Sequence, residues 1–230
     1  MSLPISQQSN EIKCNRFNPF YIRFLFTNKK NKNLFIDFIN AIFVECRPPC
    51  VAGRVIDFTF EEKDLPNYHL PDQYNNLDFS VVTDCGQRVN IELQTGCEDT
   101  FKDIELYYFS RLYSSQQVPA FMYEQLNPVV VITLFAQDQF PEPQKYIRSF
   151  SLREDSDYEL MTDKMSFIFI EANKCQKFGD ENSRLTKWMT YLNFSLLQKI
   201  EQLENEDKVF AQVISATNEY LRSKEEMLSQ

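Results

Sequence analysis

Three side chains on two neighbouring segments have the types and spacing that metal-dependent chemistry requires. The segment LDFSVVT (77–83) carries Asp78, and the segment RVNIELQ (88–94) carries Glu92 and Gln94. Apolar residues alternate with these positions, and successive side chains of a strand point to opposite faces of a sheet. Each segment therefore predicts a β-strand with one apolar and one mostly polar face, and the two acids share the polar face.

The turn between the two segments brings the acids opposite each other. Asp84-Cys85-Gly86 is typical of a three-residue hairpin loop in which glycine takes the left-handed conformation. Such a loop pairs Thr83 with Gln87 and, by counting back along both strands, pairs Asp78 with Glu92. Directly opposed residues have Cβ atoms about 4.5–5.5 Å apart, a separation at which two carboxylates repel.

A divalent cation between the two carboxylates would remove that repulsion. Mg²⁺ takes hard oxygen ligands and usually keeps several waters. It can polarise a phosphoryl oxygen and lower the pKa of a bound water. The spacing therefore predicts a Mg²⁺ site formed by Asp78 and Glu92, for which Mn²⁺ and Ca²⁺ are alternatives, but it does not by itself predict a DNA substrate.

A plainer interpretation is that this polar surface is the solvent face of an ordinary antiparallel hairpin, where acids are common. Against it, the apolar segment 129–135 and the helical segment 20–43 must cover some part of the fold. We therefore expect the acidic face to be half covered, and a half-covered acidic face is a cleft.

The elements that position these residues follow from apolar periodicity and from turn residues. Helical spacing predicts helices at 20–45 with a break at 27–33, at 99–117, as one long helix from 183 onward, and at 207–228. Strands are predicted at 55–60, 77–83, 88–94, 129–135, 146–153 and 165–171, with a loop at 61–76. This order predicts an α/β sandwich around a mixed central sheet.

Length and composition limit the domain organisation and the chemistry. We expect a disordered lead-in at 1–17, a core at 18–180 and C-terminal helices at 181–230 that pack on the core or extend from it. Six cysteines without framework spacing indicate reduced thiols of a cytoplasmic protein, and no apolar stretch is long enough to span a membrane. The single histidine, His69, leaves no cluster for zinc and little support for a Ser or Cys nucleophile.

Six segments, taken in order, resemble the Rpn-type family of PD-(D/E)XK nuclease family transposases over about residues 20–192. The segments are IRFLF…NKNLFIDFINAIF, LDFSVVTDCGQRVNIELQ, ELYYFSRLYSSQ, YEQLNPVVVITLF, LMTDKMSFIFIEANK and LTKWMTYL. The resemblance implies a restriction-endonuclease-like PD-(D/E)XK core and metal-dependent endonuclease activity on DNA, linked to recombination or transposition.

The resemblance also implies roles for individual residues. Asp78 would be the metal-binding acid of the PD motif, Glu92 the second ligand, and Gln94 would stand where the wider superfamily has its catalytic lysine. Arg23 matches a position that is usually lysine, and Arg111 would contact phosphate, although a solvated charge on a helix is the plainer interpretation of Arg111.

Two functions remain open. In the first, the protein is a Mg²⁺-dependent endonuclease acting on double-stranded DNA with weak sequence preference, and Arg23 and Arg111 steer phosphates. In the second, it is a weak or inactive nuclease-fold protein that binds other proteins or forms a homodimer. The formal net charge of −9 opposes nonspecific DNA binding and favours the second function.

Overall fold

The computed structural model describes residues 16–60, 79–97, 99–193 and 197–228. Asp78 and His69, both singled out by the sequence, lie outside the described residues, as does most of the predicted lead-in. No helix in the described part of the chain combines the length and the apolarity that a membrane span requires.

The two N-terminal helices begin and end as their polar and proline residues predict. Helix α1 (Pro19–Thr27) starts at Asn18, whose side chain accepts a 2.9 Å hydrogen bond from Phe20 N. Helix α2 (Lys32–Cys46) ends at Arg47, which has a left-handed backbone (φ 45°) and is followed by two prolines. The polar break between the helices confirms the interruption predicted at 27–33.

Six strands form one mixed sheet in the order β1-β2-β3-β4-β6-β5. Strands β3, β4 and β6 run parallel to one another, and the other neighbours are antiparallel. Every residue of β4 is buried, as a continuous apolar run in the middle of a sheet predicts. The strands are β1 (Phe58–Phe60), β2 (Phe79–Thr83), β3 (Arg88–Gln94), β4 (Val129–Phe135), β5 (Ile147–Phe150) and β6 (Met165–Glu171).

Strand β1 is shorter than the predicted 55–60 because the side chain of Asn40 hydrogen-bonds both backbone groups of Val55. Asn40 of α2 accepts a 2.9 Å hydrogen bond from Val55 N and donates a 2.8 Å bond to Val55 O. Both backbone groups are thereby satisfied without a neighbouring strand, so the ladder begins only at Phe58.

Helices cover both faces of the sheet. Helix α3 (Phe101–Ser114) packs on one face, and its buried aromatic residues meet side chains of β4 and β6. Helices α1 and α2 bury their apolar faces on the other side, in the largest core cluster. The α/β sandwich around a mixed sheet is therefore confirmed.

The C-terminal part of the chain shares that large core cluster. The single long helix predicted from residue 183 is wrong, since Arg184–Leu192 and Leu197–Glu206 are separate helices. Leu185 and Trp188 are fully buried, so the apolar stripe that contains them belongs to the core of this chain. The helices after β6 are α4 (Ala172–Phe178), α5 (Arg184–Leu192), α6 (Leu197–Glu206) and α7 (Lys208–Leu228).

Candidate active site

The hairpin between β2 and β3 has the register that its turn predicts. Thr83 N donates to Gln87 O at 2.9 Å, and Gly86 takes a φ of 86° in the left-handed region. Phe79 pairs with Ile91, which is the register that the three-residue loop implies. Asp78, one residue before Phe79, lies outside the described residues.

The two faces of β3 meet different layers of helices. Val89, Ile91 and Leu93 belong to the large core cluster that contains α1 and α2. Side chains alternate along a strand, so Glu92 and Gln94 point to the opposite face, which α3 covers. The candidate site therefore lies between the sheet and α3.

The carboxylate of Glu92 is buried and is held by its neighbours. Its side chain has 0% of its surface exposed, and its Oε1 accepts a 2.9 Å hydrogen bond from Asn90 Nδ2. Ser80 of β2 in turn donates a 3.0 Å bond to Asn90 Oδ1. This chain of hydrogen bonds fixes the orientation of the Asn90 amide, so that its donor faces the acid.

Gln94 is the second described member of the predicted site. It is 7% exposed, and its Nε2 is a buried donor with no hydrogen-bond partner among the described residues. Residues 95–97, which follow it, are exposed. A buried amide donor without a partner is costly in a finished core, so Gln94 Nε2 has unused capacity to bind a ligand or a water.

A second buried carboxylate, Glu105 of α3, was missed from the sequence. It is 0% exposed, and its Oε1 accepts a 2.6 Å hydrogen bond from the hydroxyl of Thr133. Thr133 is the partner of Glu92 across the parallel β3–β4 pair. The two carboxylates thus lie on the same side of the sheet. Glu92 is on β3, and Glu105 is hydrogen-bonded to the neighbouring strand β4.

A sequence signal for this pair exists. The buried residues of α3 are spaced four, four and three residues apart, so they form one stripe along the helix. They are Phe101, Glu105, Phe109 and Leu112, which places one acid within an apolar stripe. Thr133 is likewise the one hydroxyl in the apolar run VVVITLF. A polar residue at a core position needs a polar partner, and these two residues are partners of each other.

At Glu92 and Gln94 the acidic face is buried rather than half covered, and the part at Asp78 lies outside the described residues. Phe101 and Phe109 of α3 pack against Phe135 and Val131 of β4 on either side of Glu105, and this packing closes the layer above Glu92. Helix α3 covers the sheet at these positions. Its outer side is largely polar, but it buries one stripe of aromatic side chains. Among the residues that the structure describes, no group of three or more metal-binding side chains is present.

The two arginines of the predicted site lie in different layers. Arg111 is on α3, half-buried, with its guanidinium carbon 5.7 Å from the centre of the Tyr107 ring. Arg23 is exposed on α1, which packs on the face of the sheet opposite Glu92. Of the two, only Arg111 shares a helix with a residue of the candidate site.

A third buried acid on the same face, Glu171, has a different environment. Its Oε2 accepts a 2.9 Å hydrogen bond from Arg148, and its Oε1 accepts bonds from Lys174 at 2.8 Å and from the backbone of Gln139 and Phe140. Both oxygens are therefore fully engaged by buried cations and amides. This network ties the segment before β5 to the start of α4, and Glu171 has no capacity left for a ligand.

Three of the described thiols are held in the protonated form by burial. Burial raises the pKa of Cys46 and of Cys175 to about 12, and raises that of Cys50 to about 11. A thiol is nucleophilic only as the thiolate, so these three side chains are unreactive at neutral pH.

Comparisons with known proteins identify one relationship. A family model described as PD-(D/E)XK nuclease family transposase matches residues 16–230, which is nearly the whole chain. The mixed six-stranded sheet with helices on both faces is consistent with the nuclease fold of that family. No curated protein and no solved structure gives a significant match to the chain.

Proposed function

The chain belongs to the PD-(D/E)XK nuclease family transposases, and on that premise we propose that it is a divalent-metal-dependent endonuclease that hydrolyses DNA. Asp78 and Glu92 would hold the metal, and Gln94 would orient the attacking water. The observation that carries the proposal is the β2–β3 register, because one further step in the register that pairs Phe79 with Ile91 would pair Asp78 with Glu92.

The described donors suit a hard divalent cation. Glu92 offers carboxylate oxygens, and Gln94, whose Nε2 has no hydrogen-bond partner among the described residues, lies two residues further along the same face. When bound, Mg²⁺ would polarise a phosphoryl oxygen and lower the pKa of a coordinated water. Mn²⁺ and Ca²⁺ accept the same oxygen ligands.

The side chains around Glu92 would act by fixing the orientation of its carboxylate. The Ser80–Asn90 chain of hydrogen bonds fixes one carboxylate oxygen, Oε1. Gln94 carries no charge, so it can donate a hydrogen bond to a water or to a phosphate oxygen but cannot neutralise transition-state charge. Positive charge would have to come from the cation.

Double-stranded DNA, read with weak sequence preference, is the proposed substrate. Arg111 is a cation on α3, the helix that covers the site, and we propose that it contacts a phosphate. Arg23 would reach DNA only where the duplex extends past α1. The net charge of −9 predicts weak nonspecific DNA binding. Cutting both strands would need two centres, which a homodimer in the cytoplasm would supply.

A second candidate is a protein-binding role with a weak or inactive centre. Glu92 has no exposed surface, and large apolar side chains stand on the outside of the protein, with Phe121 87% and Met161 76% exposed. Such residues favour contacts with other proteins. The acidic net charge points the same way.

A plasmid-nicking assay separates the two candidates. Wild type, Asp78→Asn and Glu92→Gln are incubated with supercoiled DNA in Mg²⁺, in Mn²⁺ and in a chelator, with Glu124→Gln, at an exposed position, as the matched control. The endonuclease proposal expects metal-dependent nicking by wild type and by Glu124→Gln, and at least a hundredfold less by the two site variants. Equal nicking by wild type and Glu92→Gln, or none by any protein, would favour the second candidate.

A further inference from the structure

The carboxylate of Glu105 lies beside the proposed centre although it comes from a different element. Thr133 and Glu92 are partners on adjacent parallel strands, which are about 4.8 Å apart. The hydroxyl of Thr133 donates a 2.6 Å hydrogen bond to Glu105 Oε1. This bond fixes the Glu105 carboxylate directly above the strand next to Glu92.

Both carboxylates are buried from bulk solvent in the described structure. Glu92 and Glu105 are each 0% exposed, and the aromatic side chains of Phe101 and Phe109 close the layer one helical turn to either side of Glu105. Coulomb repulsion between two acids is stronger in such a medium than in water. The arrangement therefore favours any species that both acids can bind.

The neighbouring amide points to the kind of ligand. Gln94 Nε2 is a buried donor with no hydrogen-bond partner in the described part of the chain, and Gln94 follows Glu92 on the same face. An amide donor does not bind a cation, but it does bind a water or a phosphate oxygen held by one. A site that combines acid oxygens with an unused N–H donor suits a hydrated divalent cation.

We propose that Glu105 is a third carboxylate of the metal centre, contributed by α3, an inference that rests on the proposed endonuclease function. Adding a carboxylate raises the affinity of an oxygen site for divalent ions. Gln94 supplies no charge, so a third acid would strengthen metal binding at this site. Thr133 would act as a positioning residue that holds the Glu105 carboxylate by its hydrogen bond.

The test is metal binding by the full chain, without DNA. Mn²⁺ is titrated by calorimetry into wild type and Glu105→Gln, and the thermal midpoint of each is measured with Mn²⁺ and with chelator. The control is Asp103→Asn, an exposed acid two residues away on the same helix. We expect Glu105→Gln to weaken the dissociation constant about tenfold to a hundredfold and to lose most of the Mn²⁺-induced rise in midpoint. Asp103→Asn should match wild type.

The chelator measurement separates a metal ligand from a structural residue. A ligand role expects Glu105→Gln to be at least as stable as wild type without metal, because the variant removes a buried charge. A lower midpoint in chelator together with a dissociation constant within twofold of wild type would overturn the proposal and assign Glu105 to the core. Should Glu105→Gln fail to fold, Glu105→Asp keeps the charge on a shorter side chain, and an unchanged dissociation constant there would also overturn it.

Failure of this inference is distinguishable from failure of the proposed function. If Glu92→Gln loses Mn²⁺ binding while Glu105→Gln keeps it, the endonuclease centre stands without Glu105. If folded wild type binds no Mn²⁺, both proposals fall together.

Discussion

Glu105 of α3 and Thr133 of β4 are joined by a 2.6 Å hydrogen bond in a buried layer. Twenty-eight residues separate them in the sequence, and Thr133 is at the same time the strand partner of Glu92. This contact links the helix that covers the sheet to β4, the strand next to the one that carries the proposed metal ligand.

The energetic coupling of Glu105 and Thr133 can be measured by a double-mutant cycle. Thr133→Val keeps the shape of the side chain and removes the donor, so it should lower the free energy of unfolding by about 1–3 kcal/mol. The same substitution made in a Glu105→Gln background should cost less, because the amide is a weaker acceptor than a carboxylate. Urea unfolding followed by the fluorescence of Trp188, the single tryptophan, gives the four values.

The control for that cycle is Thr59→Val, at an exposed position of β1. It should change the free energy of unfolding little in either background. Full additivity of Thr133→Val and Glu105→Gln would contradict the hydrogen bond as a stabilising interaction.

The buried network around Glu171 should be important for stability. Glu171→Gln would leave the buried side chains of Arg148 and Lys174 without their shared acceptor, and breaking a buried ion pair costs about 3–5 kcal/mol. Chemical denaturation measures the loss. Glu142→Gln is the matched control, since Glu142 pairs with the same Arg148 but is exposed. A comparable loss in both variants would show that burial of the pair is not what matters.

The ion pair between Arg184 and Asp207 predicts a pH dependence. Burial alone would raise the pKa of Asp207, but hydrogen bonds from Arg184 and from Val209 N outweigh it and hold this pKa below its usual value. A lowered pKa in the folded state contributes stability above the unfolded pKa of about 3.9, and this is lost as pH falls through the folded pKa. Asp207→Asn should therefore be less stable than wild type at pH 7, and the difference should shrink below about pH 4.

Unfolding midpoints of both proteins in urea at pH 7, 5, 4 and 3 test that expectation. The exposed Asp155→Asn serves as the comparison and should track wild type throughout. A gap between wild type and Asp207→Asn that stays constant with pH would rule out the proposed linkage.

The hairpin turn depends on the backbone of Gly86. Its φ of 86° is in the left-handed region, and an added Cβ would stand 3.2 Å from Asn127 Oδ1. Gly86→Ala should therefore lower the free energy of unfolding by about 1–2 kcal/mol. Gly53→Ala, where a Cβ meets nothing within 4 Å, should be close to neutral. Thermal or urea unfolding of both variants provides the comparison, and equal effects would refute the role of the turn.

Local patterns along the chain were enough to predict the hairpin and the polar face of its strands. Turn chemistry is local: Gly86 fixes the loop, the loop fixes the pairing of Thr83 with Gln87, and alternation then carries the register along to Phe79 and Ile91. The helix break near residue 30 and the fully buried β4 followed from local patterns in the same way.

Which side chains lie above that face depends on long-range packing, which local patterns do not predict. Burial of Glu92, the approach of Glu105 through Thr133, and the position of Arg23 behind the opposite face all depend on how α3 and α1 dock on the sheet. Docking is set by contacts between residues that are far apart in the sequence. Periodicity shows which side of a helix is buried, but it does not show which strand that side will meet.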